Sequence, residues 1–289
     1  MEKRKKLSKR LIALIVCSLF FTVAVFTVAG MQIAFVASDG TVSVWRPKYE
    51  KADLTPLLNK NFDELTEEDF KLFYEQTGLT EHGVRRAYLK QDKSAGMKKI
   101  LDIQNSYFAE REITRNYFAP FICTDHISSQ SEPIFLENGD ILVTSSTHFT
   151  SWRVGHAAIA VDGEKDTLFQ ATQVGEESGF VNVNNFTNRI NFMIFRVKDE
   201  VADKETKQSV VNYIVENLMN KPYDVFTGIF TDKNKCDKTM CSHVLWYAFK
   251  QFGINLDSNG GLLVMPRDIA RSPHLELVQN FGFDPEKLW

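Results

Sequence analysis

The feature that most constrains this chain is a long run without charged residues near its start, "LIALIVCSLFFTVAVFTVAGMQIAFVA", residues 11–37. A helix rises about 1.5 Å per residue, so roughly 20 apolar residues cross the hydrocarbon core of a bilayer. The run exceeds that length and contains Gln32 as its one strongly polar side chain. The sequence therefore predicts a transmembrane signal-anchor helix over 11–37.

The residues before this run are strongly basic. Residues 1–10 include Lys3, Arg4, Lys5, Lys6, Lys9 and Arg10. Positive charge beside a membrane span favours the cytoplasmic side, so residues 1–10 are predicted to be a cytoplasmic tail and the rest to lie outside the cell membrane. A cleaved signal peptide has the same order of features with a shorter apolar core, about 7–15 residues. Small residues at 28–30 and 36–38 leave cleavage open, in which case the protein is secreted.

Composition limits the partners of the exported part. The chain has 289 residues, 44% of them hydrophobic, which is enough for a substantial core. Its formal net charge of -3 offers no footprint for nucleic acid, and nothing in it sets an oligomeric state. Three cysteines follow the apolar run, an odd number, so Cys123 and Cys236 can pair and leave Cys241 free, or all stay reduced.

The sequence pattern of the exported part changes near residue 131, from helical to strand-like. Before it, residues 40–130 are predicted to form a helical extension, with Thr66 leading an acidic first turn and a second helix from about Ser94 to Tyr117. No catalytic pattern appears there. After it come short runs typical of strands, "GDILVTSS", "VGHAAIAVD", "TLFQATQV", "GFVNVNNF" and "NFMIFRVK", with hairpin chemistry in "DGEKD". Helices are predicted at about 204–221 and from near Cys241, giving an α+β fold with an antiparallel sheet.

The stretch "DKTMCSHVLWYAFKQFG", residues 237–253, places Cys241 at the head of a predicted helix. With Thr239 as the N-cap, Cys241 falls in the first turn and begins an apolar face. The helix dipole and the unpaired N–H groups of that turn stabilise a thiolate, lower the thiol pKa and supply donors to an oxyanion. Cys241 is accordingly a candidate nucleophile; a buried small cysteine at a helix start is the alternative.

A nucleophilic thiol needs a base, and His156 is the histidine embedded in a strand pattern. Alternation puts it on one face with Ala158 and Ala160, small residues that would let a helix approach the sheet. The next strand would place Gln170 or Thr172 across from it. A structural core histidine is the alternative, and His148 is the reserve base.

Five segments in this order resemble one known family: "GDILVTSS", "GHAAIAVDG", "KPYD", "CSHVLWYAFKQFG" and "VMPRDIARSPHLELV". They are similar to the YiiX/YebB-like group of circularly permuted papain-like hydrolases in the NlpC superfamily, over about Glu132 to Val278. In that group the histidine precedes the cysteine, as it does here. The resemblance implies a permuted papain-like domain over 131–289 that cleaves amide bonds, in cell-wall peptides or other small amide and ester substrates.

The resemblance also implies roles for individual residues. Cys241 matches the nucleophile, His156 the general base, and Tyr223 of "KPYD" a tyrosine whose hydroxyl assists the oxyanion site. The family often has an acidic residue before the alanine of the next strand, where this chain has Gln170. A glutamine can accept the imidazole N–H but cannot stabilise imidazolium by charge.

Three alternatives stay open. A zinc site from Cys236, Cys241 and His243 lacks the tight spacing of common zinc motifs, so neither a metal nor another cofactor is expected. The same thiol fold also serves acyl transfer on lipids or thioester hydrolysis, and a membrane anchor would bring the cleft near lipid headgroups. A ligand-binding domain without catalysis is the third.

Overall fold

The computed structural model describes residues 8–39, 44–119, 121–287 and 289. Residues 1–7 of the predicted cytoplasmic tail lie outside the described residues. Helix α1 spans Lys9–Asp39. Its segment Lys9–Ala34, 26 residues, is long and apolar enough to cross a membrane, and none of it is buried against the rest of the protein. This N-terminal helix fits a membrane span or a signal sequence.

The remaining helices and the strands alternate in groups. The helices are α2 (Thr55–Leu58), α3 (Glu67–Thr77), α4 (Glu81–Tyr88), α5 (Lys93–Phe108), α6 (Asn184–Thr187), α7 (Lys204–Asn217), α8 (Cys241–Lys250) and α9 (Pro266–Ala270), with a 3-10 turn at Phe62–Glu64. The strands are β1 (Ile113–Ala119), β2 (Ile122–Ile127), β3 (Ile141–Thr144), β4 (Thr147–Phe149), β5 (His156–Asp162), β6 (Thr167–Gln170), β7 (Gly179–Asn182), β8 (Phe192–Val197) and β9 (Leu275–Phe281).

Two antiparallel sheets organise these elements. The larger has the order β7-β6-β5-β3-β8-β9, and the smaller has the order β1-β2-β4. The predicted α+β class with antiparallel sheets is therefore confirmed. All five strand segments expected after residue 131 contain a strand of the larger sheet, and "DGEKD" connects the β5–β6 hairpin.

The predicted start of α3 is also confirmed, because its first turn is closed by local hydrogen bonds. The Thr66 hydroxyl accepts from the Asp69 N–H at 3.3 Å, and the Asp69 carboxylate accepts from the Thr66 N–H at 3.0 Å. This capping box satisfies two N–H groups that a helix start leaves unpaired.

The expectation of one helix from Ser94 to Tyr117 is wrong in its second half. Helix α5 ends at Phe108, and residues 113–119 form β1. Arg111 explains the stop: its guanidinium donates to the Ser106 and Ala109 carbonyls at 2.6 and 3.2 Å. Helix-terminal carbonyls satisfied by a side chain no longer need a further turn. The sequence after Arg111 then pairs with β2, so part of the stretch 40–130 is sheet and not helix.

The larger sheet is covered on both faces. One face packs on α3, α4 and α5, with Leu142, Ala158 and Ile194 from the sheet in one core with Phe73, Val84 and Ile100 from the helices. The other face packs on α7 and α8, with these residues in a second core: Val143, Ala157, Ile159, Val210, Val244, Leu245 and Phe249. The helices before residue 131 thus share a core with the sheet.

A buried ion pair ties the first helical layer to the sheet. The Arg86 guanidinium in α4 donates to both carboxylate oxygens of Asp140, at 2.6 and 3.0 Å. Asp140 directly precedes β3 and is 1% exposed. Burial raises the pKa of Asp140 to about 6, although Arg86 opposes that shift. The pair therefore has a large desolvation cost that only intact geometry offsets.

Candidate active site

Cys241 is the first residue of α8 and is buried. The N-cap is Met240, in an extended conformation and without a side-chain cap, so no side chain takes up the N–H groups of the first turn. The expectation that Thr239 caps the helix is wrong by one residue. The Thr239 hydroxyl instead lies 2.9 Å from Nδ1 of His243. The helix start is left open to a negative charge on or near the Cys241 sulfur.

His156 is the first residue of β5, and its ring is held by Gln170. Nε2 of His156 lies 2.7 Å from Oε1 of Gln170, and the ring stacks on Phe186 with centroids 5.5 Å apart. An amide oxygen only accepts, so Nε2 carries the hydrogen and Nδ1 keeps the basic lone pair. Of the two partners predicted for His156, Gln170 makes this contact, and Thr172 lines the neighbouring cleft.

The helix that carries Cys241 does not approach over Ala158 and Ala160, so that expectation is wrong. Those alanines belong to the core shared with α3 to α5, whereas α8 packs on the opposite face, where Ala157 and Ile159 lie. Cys241 is the first residue of α8, and His156 is the first residue of β5. The two residues therefore lie at the same end of the sheet. The Ala157 backbone N–H points at the Cys241 sulfur. Within the described residues no hydrogen bond joins the Cys241 thiol to the His156 ring.

Tyr223 is held close to the thiol. Its hydroxyl lies close enough to the Cys241 sulfur for that sulfur to add to the rise in the phenol pKa. The backbone around it is pinned on two sides: the Tyr223 N–H donates to the Glu176 carbonyl at 3.0 Å, and the Thr239 N–H donates to the Pro222 carbonyl at 3.0 Å. Burial raises the pKa of Tyr223, so the phenol stays neutral and keeps its donor. Tyr223 can thus serve the sulfur or an oxyanion formed beside it.

Arg189 completes this group, and sequence reasoning missed it. It lies between α6 and β8 and is buried, with Nε donating to the Asn185 carbonyl at 2.8 Å and Nη1 to the Thr147 hydroxyl at 3.2 Å. Its charge is near enough to alter the proton affinity of both Cys241 and His156. The stretch "NFTNRINF" carries no motif that would distinguish this arginine from a loop residue.

The protonation of the site is governed by burial. Burial raises the pKa of the Cys241 thiol, against the opposing effects of the Ala157 and Ser242 N–H groups and of Arg189. Burial, and then the Arg189 charge, lower the pKa of His156 to about 3. The expectation that the helix start lowers the thiol pKa is wrong, because desolvation outweighs it. At neutral pH the resting site holds a neutral thiol and a neutral imidazole.

A cleft of about 370 Å³ opens onto His156, Tyr223 and Arg189, and the buried Cys241 is not among the residues that line it. The lining also includes residues of the smaller sheet, among them Thr124 and His126 of β2. The smaller sheet therefore supplies a wall of the cleft. This wall falls partly within the stretch predicted to be helical, so the sequence does not reveal it.

A second cluster lies behind that wall, on the opposite face of β2. The Cys123 sulfur is 2.9 Å from Nε2 of His148, which in turn is 3.3 Å from the Asp125 carboxylate. These three atoms have the spacing of metal ligands. However, Arg115 and Arg153 each contact the same carboxylate, at 2.7 and 2.6 Å. Two guanidinium groups supply the positive charge that a metal ion would bring, so this is a buried ion cluster.

The structure also shows where the other predicted cysteines and histidines lie: Cys123, Cys236, His243 and His148. Cys123 and Cys236 are both free thiols and do not pair. The His243 ring uses Nδ1 on Thr239 and Nε2 on the Lys233 carbonyl at 2.9 Å, which leaves neither nitrogen for a zinc ion beside Cys241. His148 faces the second cluster and not the cleft, so it is not placed as a base for Cys241.

Comparisons with family models, with curated proteins and with solved structures give no significant match. What the site contains is a thiol at a helix start, an imidazole oriented by an amide, a phenol close to the sulfur and a buried guanidinium, all at one end of one sheet.

The low pKa of His156 predicts an acid-sensitive fold. The unfolded chain takes up a proton on this imidazole below about pH 6.5, whereas the folded protein does not until about pH 3. Stability contributed by neutral His156 is therefore present above pH 6.5 and is lost as pH falls toward 3. Measured by urea unfolding, the free energy of unfolding of the wild type should fall between pH 7 and pH 4 by more than that of His156→Gln, by on the order of a few kcal/mol.

Other titrating groups do not obscure this comparison. Asp140, with its pKa raised to about 6, contributes with the opposite sign, but it is the same in both proteins and cancels in the difference. Equal losses in the wild type and in His156→Gln would show that His156 is not kept neutral by the fold.

Proposed function

We propose that this protein is a membrane-anchored, extracytoplasmic cysteine hydrolase with a permuted papain-like fold, and that it cleaves amide bonds in cell-wall peptides or related small amides. The observation that carries the proposal is the position of Cys241. Its sulfur lies at the open start of α8, close to the Tyr223 hydroxyl and to the N–H of Ala157, the residue that follows His156 in the chain.

The chemistry assigns each group a role. The Cys241 thiol transfers its proton to Nδ1 of His156, the sulfur attacks the carbonyl carbon, and a tetrahedral oxyanion forms. That oxyanion accepts from the α8 start and from Tyr223. The imidazolium then protonates the leaving amine, which departs as the thioester forms. Water, with its proton taken by His156, hydrolyses the thioester and restores the thiol.

The first step is uphill in the resting protein, because the thiol pKa is raised and the imidazole pKa is lowered to about 3. Gln170 orients the ring without adding the negative charge that would favour imidazolium. The Arg189 cation and the Ala157 N–H favour the thiolate instead. The mechanism requires the Cys241 thiol to reach Nδ1 of His156, and catalytic hydrogen bonds commonly tighten only when substrate binds.

The full-length protein in detergent tests the amide proposal. Incubated with purified cell wall, it should release new amino groups over time, and Cys241→Ala should release none. The same chain with Arg267→Gln, a change at an exposed residue, serves as the control for preparation and detergent. No release of amines from cell-wall material or from small amides would contradict amide hydrolysis.

A second candidate, acyl transfer or thioester hydrolysis on lipids, is favoured by an exposed apolar surface beside the cleft. Phe226, Ile229 and Phe230 follow Tyr223 closely, with Phe230 78% exposed. The Phe226 and Phe230 rings are 5.1 Å apart, and Leu262, 69% exposed, adjoins Gly228. Apolar patches of this kind mark protein or membrane contacts.

Lipid vesicles distinguish the two substrate classes. If the second candidate holds, the wild type releases or transfers acyl chains from vesicles, and a Phe226→Ser, Phe230→Ser double variant loses this while still cleaving soluble amides. Release of peptides with no acyl release assigns the amide function. A ligand-binding domain without catalysis predicts neither product, with Cys241→Ala binding the ligand as the wild type does.

A further inference from the structure

We propose that Arg189 forms an anion subsite in the cleft, so that the substrate carries a carboxylate or phosphate group close to the bond that Cys241 attacks. This inference rests on the proposed function, since it assigns a substrate class to the same site. The contacts of Arg189 differ from those of the comparably buried Arg86.

Arg189 is a buried guanidinium with only neutral partners. It is 5% exposed, and its hydrogen bonds go to the Asn185 carbonyl, the Asn185 side-chain oxygen and the Thr147 hydroxyl, at 2.8, 3.0 and 3.2 Å. Within the described part of the chain no carboxylate lies at ion-pair distance from it. Arg86, 6% exposed, is paired with Asp140.

A buried charge without a counter-charge is costly unless something compensates it. Burial does lower the pKa of Arg189, to about 10, which still leaves it charged at neutral pH. The neutral acceptors around it satisfy hydrogen bonds but add no negative charge. An anion that enters the cleft would supply that charge.

Arg189 lies where a bound substrate could supply the missing negative charge. Arg189 lines the cleft together with His156 and Tyr223, and the described residues that line the cleft include no aspartate or glutamate. A guanidinium has five N–H donors, and the three bonds above leave donors for a ligand. Asn185 and Thr147 fix its plane, and the Phe186 ring lies 5.1 Å from its central carbon. The donors are therefore held in place before a ligand arrives, which favours bidentate capture of an oxyacid.

The same cation also stabilises the Cys241 thiolate, so the test must separate anion binding from thiol activation. Iodoacetate and iodoacetamide attack the same thiolate and differ in charge. Both rates at Cys241 depend in the same way on the fraction of thiolate, so the thiol pKa drops out of their ratio. The ratio therefore measures how strongly the site attracts the negatively charged reagent. The ratio is measured on the full-length protein in detergent, with adducts at Cys241 counted by mass spectrometry and a free thiol peptide as reference.

We expect the ratio of the iodoacetate rate to the iodoacetamide rate to be about tenfold higher at Cys241 of the wild type than in the free peptide. This preference should shrink at high salt, because the attraction is electrostatic. Arg189→Gln should return the ratio to that of the peptide, and Arg189→Lys should keep part of the preference. Arg267→Gln removes the same charge from an exposed site and should leave the ratio unchanged. An equal ratio in the wild type and in Arg189→Gln overturns the subsite while leaving Cys241 reactive.

If Cys241 reacts with neither reagent in the native protein, although it reacts after unfolding, both the subsite and the proposed function fail. Should the Arg189 variants not fold, protection of the wild type gives the answer. Acetate should slow alkylation by iodoacetamide, and neutral acetamide at the same concentration should not. Stronger protection by acetate assigns a peptide carboxylate, and stronger protection by methyl phosphate assigns a lipid phosphate. Equal effects of acetate and acetamide overturn the subsite.

Discussion

Cys241→Ala should abolish hydrolysis, with a loss of about 10³-fold or more in kcat/KM, because the proposed acyl intermediate forms on the Cys241 sulfur. His156→Gln should cost nearly as much, since the raised pKa of the thiol makes a base necessary. The Cys241→Ala, His156→Gln double variant should be no worse than either single variant. Residues that act as one unit show this lack of additivity. Initial rates on the cleaved substrate provide the measurement.

Cys236→Ala is the matched control for the loss of a buried thiol. Cys236 lies in the same core as α8 and is 7% exposed, but it precedes the helix start that Cys241 occupies. Burial raises the pKa of Cys236 to about 11, so it is an inert thiol. We expect Cys236→Ala to keep its activity. Full activity in Cys241→Ala, or its loss in Cys236→Ala with the fold intact, would remove Cys241 from the mechanism.

Arg86→Met should destabilise the protein by about 3–5 kcal/mol, the largest stability effect expected of a single substitution here. Methionine fills much of the space of the arginine stem, so the loss comes from leaving the buried Asp140 with the more distant Arg196 guanidinium, at 3.4 Å, as its charged partner. Urea unfolding at pH 7 measures it. Because Asp140 has a pKa of about 6 even with its partner, it takes up a proton readily, and the deficit should shrink at pH 5.

Arg85→Met is the adjacent control. Arg85 pairs with Glu81 at 3.3 Å on the surface of α4, with half of its side chain exposed (53%). Exposed pairs contribute about 0–1 kcal/mol, so this variant should unfold near the wild-type midpoint. Equal midpoints for Arg86→Met and Arg85→Met would show that the Arg86–Asp140 pair does not join the helical layer to the sheet.

Local patterns were sufficient for much of the fold. The capping box at Thr66 depends on residues three positions apart. The strands after residue 131 are indicated by β-branched and aromatic residues between turns. The pairing of β5 with β6 follows from the short hairpin, and it brought Gln170 within reach of His156 as predicted. These features need only the direction of side chains within one element or one hairpin.

Other features depend on partners distant in the chain. Residues 113–119 are strand because β2 pairs with them and Arg111 ends the preceding helix. β9, which no pattern indicated, is held at the sheet edge by β8 from about 80 residues earlier. Alternation correctly placed His156 on one face with Ala158, but the face on which α8 packs had to come from the tertiary structure.

By itself the sequence determined an apolar N-terminal helix, an α+β domain with an antiparallel sheet, and Cys241 at the head of a helix. It also indicated that Gln170 or Thr172 would face His156. Only the tertiary structure decided that the thiol pKa is raised and not lowered, that the smaller sheet walls the cleft, and that Arg189 is buried there without an acid. The reason is physical: caps and periodicity act within a few residues, whereas desolvation and charge depend on everything that packs around a group.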